Sequence, residues 1–266
     1  MIRDITLGQY YASGSPLHRL DPRTKILGTI LFLVEVFLIK DFVGFGVCAA
    51  VVLTVVAMSR VPLLYILRGL KPIFIILLFT FFLNVFMVDG KILWQWGFLH
   101  VTDQGLYRAT FMAIRLILII IGSSLLTFTT TPIALTDGIE RLLRPMAAIG
   151  LPAHEIAMMM SIALRFIPLL LEETDKIMKA QQARGADFES GHILRRAKAL
   201  LPILIPLFLS AFRIAEDLAM AMESRCYRGG KGRTRMKPMR FAARDAIAWL
   251  FLLAYLAVVI SMRIWL

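Results

Sequence analysis

The residues with chemical capability in this chain are mostly arginines and carboxylates, and they fall into two similar series. The first runs Leu164-Arg165-Phe166-Ile167-Pro168, then Glu172-Glu173, then Ala183-Arg184-Gly185. The second has Pro202 and Pro206, then Arg213, Glu216-Asp217 and finally Ser224-Arg225-Cys226. Each series closes on an arginine between small residues. Small neighbours leave a guanidinium free to enter a groove and fork onto a carboxylate. The candidate partner-binding residues are therefore Ala183, Arg184, Gly185, Ser224, Arg225 and Cys226, and two such ends suit a partner with two equivalent grooves.

Other chemistries find no matching pattern. There is no Ser-His-Asp-like set, no H-E-x-x-H and no carboxylate dyad in a polar setting, so the chain reads as a non-enzyme. Gly229-Gly230-Lys231-Gly232 has a lysine but not the spacing of a phosphate-cradling loop. His18, His100, His154 and His192 are scattered, and Cys48 and Cys226 give neither a disulfide framework nor metal-ligand spacing. No metal or cofactor is expected on this chain. The acidic pairs Glu172-Glu173 and Glu216-Asp217 read as interhelical partners for Arg165, Arg213 and Lys176. Met158, Met159, Met160, Met220 and Met222 supply soft, adaptable packing surface.

Helices must position the two arginines. Glu173 to Gly185 reads as a polar helix in which Gly185 suits the residue just past the end, while Arg184 suits the negative helix terminus. Met220 to Gly230 repeats the plan. Upstream of these polar ends, 156–171 and 199–212 are apolar but short of the roughly 20 residues that a crossing helix needs. The first carries Arg165 and the second two prolines. A hairpin of two spans would export Lys176, Lys179, Arg184, Arg195, Arg196 and Lys198, against the positive-inside bias. The expectation is two long helices whose apolar starts lie under the bilayer or against the spans.

Composition defines the setting. Hydrophobic residues make up 59% and charged residues only 18%, with a mean hydropathy of +0.75. That is an all-α polytopic membrane protein, with about five transmembrane helices and long cytoplasmic helices inserted before the last span. The spans fall at 26–39, 42–58, 72–88 (after an approach helix from Arg60 to Lys71), 106–131 and 241–262. They divide the chain into a membrane region (1–131), a coupling-helix region (132–240) and a last helix (241–266). The net charge of +12 fits anionic headgroups and cytoplasmic loops rather than nucleic acid, since no basic stretch is interleaved with stacking aromatics. Residues 132–240 hold seventeen of the thirty basic residues against eleven acidic. This places the segment and the N-terminus in the cytoplasm and the C-terminus outside. No cleavable leader is read at the N-terminus.

Within the spans, Asp21-Pro22 marks a helix start, an N-cap oxygen followed by proline at the first helical position. Arg23 and Lys25 mark the cytoplasmic edge. Trp94, Trp96 and Phe98 read as an external interfacial loop. Glu35 and Arg115 are costly inside hydrocarbon unless they find protein partners, and pairing with each other is the structural reading. The functional alternative makes them the charge pathway of a free-standing channel or secondary carrier.

Three stretches carry a resemblance: Leu20-Asp21-Pro22-Arg23-Thr24-Lys25, the Ala-Arg-Gly-Ala-Asp-Phe run at 183–188 and the Ser-Arg-Cys-Tyr-Arg-Gly run at 224–229. With them the chain resembles the transmembrane T component (EcfT) of energy-coupling factor (ECF) vitamin transporters over nearly its whole length. Cys226 stands where many relatives carry glycine, a variant similar to the shared, multi-substrate type. The resemblance implies a scaffold and coupling subunit in the plasma or inner membrane. Its partners would be two ATPase subunits, which would carry ATP and magnesium, and a substrate-binding S component. Arg184 and Arg225 would dock into grooves on the two ATPases.

Overall fold

The computed structural model describes residues 10–96, 99–150, 152–186, 188, 193–230 and 239–265. Nine helices appear among them: α1 (Pro22–Leu38), α2 (Phe42–Ser59), α3 (Leu63–Leu70), α4 (Phe74–Met87), α5 (Asp103–Thr129), α6 (Pro132–Leu143), α7 (Ala153–Ala183), α8 (Ile193–Ser224) and α9 (Ala243–Trp265). A short 3-10 turn, Arg144–Ile149, joins α6 to α7. The chain forms two compact units, one of residues 8–138 with 239–266 and one of 1–7 with 139–238.

The first unit is the membrane bundle. α5 is its centre, with α1, α2, α3 and α4 packed on it and α9 packed on α1. The core joins Phe32 and Val36 of α1, Phe45, Cys48 and Val52 of α2, Leu118, Leu125 and Phe128 of α5, and Tyr255 and Val259 of α9. The outer faces are equally apolar. Ile75 is 74% exposed and Phe37 63%, which water would not tolerate but lipid requires. α2, α5 and α9 are each long and apolar enough to cross, and α3 with α4, bent by 61°, have together the length and apolarity of a broken span or a re-entrant loop. The break at Lys71-Pro72-Ile73 falls where the expected approach helix was to end and the span to begin. α1 has 17 residues, about 26 Å at 1.5 Å per residue, close to the hydrocarbon thickness.

One end of the bundle is closed by polar bonds. Asp21 caps α1, its carboxylate accepting from the Arg23 amide at 2.9 Å and from the Arg23 guanidinium at 3.0 and 2.9 Å. Its own amide donates to Asp245 Oδ1 at 2.8 Å, while Asp245 Oδ2 accepts from the Ala242 amide and so caps α9. Lys25 is buried, donating to the carbonyls of Thr129 (2.8 Å) and His18 (3.2 Å). Tyr11 bonds to the Phe128 carbonyl and the Ser13 hydroxyl to the Ser59 carbonyl. Residues 10–21 therefore lie across the start of α1 and the ends of α2 and α5, beside the start of α9. Arg23 and Lys25 are more than flanking charges.

Two expectations are corrected in this unit. The stretch of Trp94 and Trp96 is an antiparallel hairpin rather than a loop, Ile92–Trp96 (β1) with Leu99–Thr102 (β2), pairing Trp94 with Val101 and Trp96 with Leu99. Its β-branched and aromatic residues favour a pleated ribbon. Phe98 lies outside the described residues. Glu35 and Arg115 do not pair. Arg115 Nη2 donates to the Ile39 carbonyl at 2.9 Å, where the guanidinium meets the negative end of α1. It also sits over the ring of Phe111 at 4.9 Å. Glu35 is fully buried, and among the described residues neither of its carboxyl oxygens has a hydrogen-bond partner.

Candidate functional site: two capped helix ends

The second unit consists chiefly of α7 and α8, packed on each other. They run antiparallel. Near the end of α7, Gln181 Nε2 donates to the carbonyl of Pro202, early in α8, at 3.3 Å. Just beyond the end of α8, the Tyr227 hydroxyl lies 3.0 Å from Met158 Sδ, early in α7. Pro168 in α7 and Pro202 and Pro206 in α8 each remove a backbone donor from a helix interior, which a packed partner helps to tolerate.

Each helix ends at one of the two arginines, and the ends have the same construction. At the first, the Gly185 amide bonds to the Gln182 carbonyl at 2.9 Å and the Ala186 amide to the Gln181 carbonyl at 3.0 Å. At the second, the Cys226 amide bonds to the Glu223 carbonyl at 2.8 Å and the Tyr227 amide to the Met222 carbonyl at 3.0 Å. Both are Schellman caps, which satisfy carbonyls that the helix leaves open and require a left-handed residue just past the last turn. Gly185 supplies it at φ 88° and Cys226 at φ 55°. Glycine takes this conformation freely, whereas a cysteine pays about 1–2 kcal/mol for it. The expected glycine cap at 185 is thus present, and Cys226 fills the same backbone role.

In both caps the arginine is the last residue before the left-handed turn. Arg184 and Arg225 are exposed, as are Ala183, Gly185, Ser224 and Cys226, and neither guanidinium has a partner among the described residues. The Ser224 hydroxyl is satisfied within its own helix by the Ala221 carbonyl at 3.0 Å. Because the helices are antiparallel, the two arginines stand at opposite ends of the pair. α7 has 31 residues, and at 1.5 Å per residue this separates the arginines by something on the order of 40 Å.

The packing role of Gly229 and Gly230 was not foreseen. A side chain at Gly230 would collide with the ring of His154, whose Nδ1 is 3.2 Å from Glu140 Oε1. The Gly229-Gly230 pair therefore lets the chain leave the second cap pressed against the start of α7. Only the failure of the phosphate-loop spacing hinted that these glycines serve another purpose. Lys231 and Gly232 lie outside the described residues, as do Asp187 and His192.

The acidic pairs are corrected as well. Glu173 bonds to Lys176 at 3.5 Å three residues along the same helix, not across to another helix. This is the ordinary neighbour relation of a helix surface. Glu172, Arg165, Arg213, Glu216 and Asp217 are exposed, where water solvates them. Among the described residues no three His, Cys, Asp or Glu side chains could hold a metal ion together.

A lipid-facing helical bundle together with a long antiparallel helix pair defines a polytopic helical membrane protein. The comparisons with known proteins agree. A family model described as CbiQ, cobalt transport protein, matches residues 13–237. The chain is 58% identical over 249 residues to the energy-coupling factor transporter transmembrane protein EcfT of Thermosediminibacter oceani, covering 94% of each chain. It is 55% identical to the EcfT of Clostridium kluyveri, covering 100% of this chain and 99% of that one. With the EcfT of Bacillus subtilis it shares 46% identity over 99% of this chain and 100% of that one. The chain belongs to the CbiQ/EcfT family of energy-coupling factor transporter transmembrane proteins.

Proposed function

We propose that this chain is the scaffold and coupling subunit of an ATP-driven ECF-type micronutrient importer, joining two ATPase subunits to a substrate-binding S component. Arg184 and Arg225 each enter a groove on one ATPase. Closure of the ATPases on ATP and magnesium moves the two coupling helices, and the antiparallel pair carries that motion to the S component. A packed pair of long helices suits such a transmission, since packed interfaces shift between discrete arrangements rather than deform continuously. The observation that carries this reading is the repetition of one cap geometry at opposite ends of α7 and α8, with both guanidinium groups unengaged among the described residues.

In this reading the N-terminus and the α7–α8 unit are cytoplasmic and the C-terminus is external. A parity argument supports it. The end of α5 and the start of α9 both tie to residues 10–25, through Thr129 and Asp245. The chain between them therefore crosses the bilayer an even number of times. α7 taken alone is long and apolar enough to span, but a single crossing there would leave α9 starting on the wrong side. The basic surplus between α5 and α9 then belongs inside.

The test is the pair Arg184→Ala and Arg225→Ala, alone and combined, expressed with the ATPases and an S component. Each loss should weaken ATPase retention by about 2–5 kcal/mol if the guanidinium is paired in a desolvated groove. ATP-driven uptake should disappear in the double variant. Full uptake by a double variant that retains its ATPases would refute the assignment.

A further inference from the structure

The end of the bundle that the polar bonds close also holds two adjoining hollows. One, of about 430 Å³, is apolar and runs between the helices, lined among others by Phe32, Val55, Leu126, Ile247 and Phe251. The other, of about 320 Å³, is lined by Gly14, Pro16, Arg19, Arg60 and Arg244. Pro16 and Arg244 belong to both linings, so the cationic hollow is the mouth of the apolar one.

All three arginines are exposed, and none has an ion-pair partner among the described residues. The carboxylates nearest in sequence to Arg19 and Arg244 are already committed, Asp21 to Arg23 and Asp245 to two backbone amides. Arg60 holds its place on a left-handed backbone, φ 55°, which an arginine rarely adopts. Three guanidinium groups with no carboxylate in the lining create a strong preference for a phosphate, onto which each can fork. Free phosphate would not need the crevice behind them. An acyl chain would, and the volume matches that of ordinary ligand pockets.

We propose that this end of the bundle holds one anionic glycerophospholipid, its phosphate among Arg19, Arg60 and Arg244 and an acyl chain in the crevice between α1, α2, α5 and α9. The lipid fills a void that would otherwise weaken the packing of α9 on α1. It also makes the bundle responsive to the anionic lipid content of the leaflet in which those arginines lie.

The experiment uses the full-length chain in phosphatidylcholine vesicles doped with phosphatidylglycerol or phosphatidylcholine carrying a photoreactive acyl chain. Phosphatidylglycerol should label peptides of α1 and α9 at least about fivefold more than phosphatidylcholine, the advantage of a single interfacial cation. Arg19→Gln, Arg60→Gln and Arg244→Gln together should bring the two lipids to equal labelling. If the triple variant does not fold, the single variants should each lower the preference stepwise. Val55→Trp, with every arginine retained, should abolish the crevice label by filling it. Equal labelling by both lipids in the parent chain would overturn the proposal. So would a preference that survives the arginine variants, or a crevice label that survives Val55→Trp. Displacement of the label by millimolar glycerol phosphate would identify a soluble phosphate as the ligand and overturn the lipid assignment.

Discussion

The two units are built on opposite principles. The membrane bundle owns its core: fourteen buried apolar side chains form one cluster, and all of them belong to α1, α2, α3, α5, α9 or the connections at their ends. The α7–α8 unit owns almost none. Among the described residues its buried apolar side chains are Ala153, Ala157 and Ile203, while Leu201, Ile205, Phe208, Leu209 and Phe212 along α8 are each more than half exposed. A pair of long helices with so little interior is not held rigid by its own packing. The bundle is packed around its own core, and the pair, among the described residues, is not. This contrast explains why the polar investment differs too. The bundle buries Asp21, Lys25 and Asp245 in bonds that lock helix ends, whereas Arg184 and Arg225 at the ends of the pair are exposed.

The contrast can be broken most severely at Asp245. Asp245→Ala strips acceptors from two amides, those of Asp21 and Ala242, one of them buried, and should cost the bundle about 2–4 kcal/mol. Asp245→Asn should recover part of that loss. Thermal unfolding in detergent checks both, and no change with alanine would mean the lock does not matter. The smaller experiment compares the two caps. Gly185→Ala forces a Cβ into the left-handed turn and should cost about 1 kcal/mol, while Cys226→Gly relieves the same strain and should return a similar amount. Hydrogen exchange at the last turns of α7 and α8 reads these changes separately, and opposite signs are expected. The smallest effect concerns Glu35 and Arg115. Because they do not pair, Glu35→Gln and Arg115→Met should be additive to within about 0.5 kcal/mol in a double-mutant cycle. A coupling well above that would restore the ion pair that the sequence suggested.

Much of this was legible in the order of residues because it rests on local chemistry. Apolar runs set the membrane class, Asp21-Pro22 announced the start of α1, and Gly185 announced the end of α7. What escaped was of two kinds. Contacts between distant positions leave no local trace: Asp21 and Asp245 are 224 residues apart, and the only hint was an acidic residue in the first turn of α9. Substitutions of role were the other kind. The left-handed residue of the second cap is a cysteine, so glycine did not mark it. Arg115 satisfies itself with a helix-end carbonyl and a ring, so no carboxylate marked its partner. The docking role of Arg184 and Arg225 was inferred from their repetition, and the repetition extends to the hydrogen bonds around them.

Two helices laid head to tail and finished alike carry a local dyad. Turn the pair end over end and Arg184 falls where Arg225 was. Anything that grips one end can, to a first approximation, grip the other, so a matched couple of identical subunits would suffice to hold the pair. The likeness is one of backbone: behind one guanidinium is glycine, behind the other a cysteine in a left-handed turn, and Ala183 and Ala186 stand where the other end has Ser224 and Tyr227. The two ends are therefore alike in backbone and different in the side chains they present.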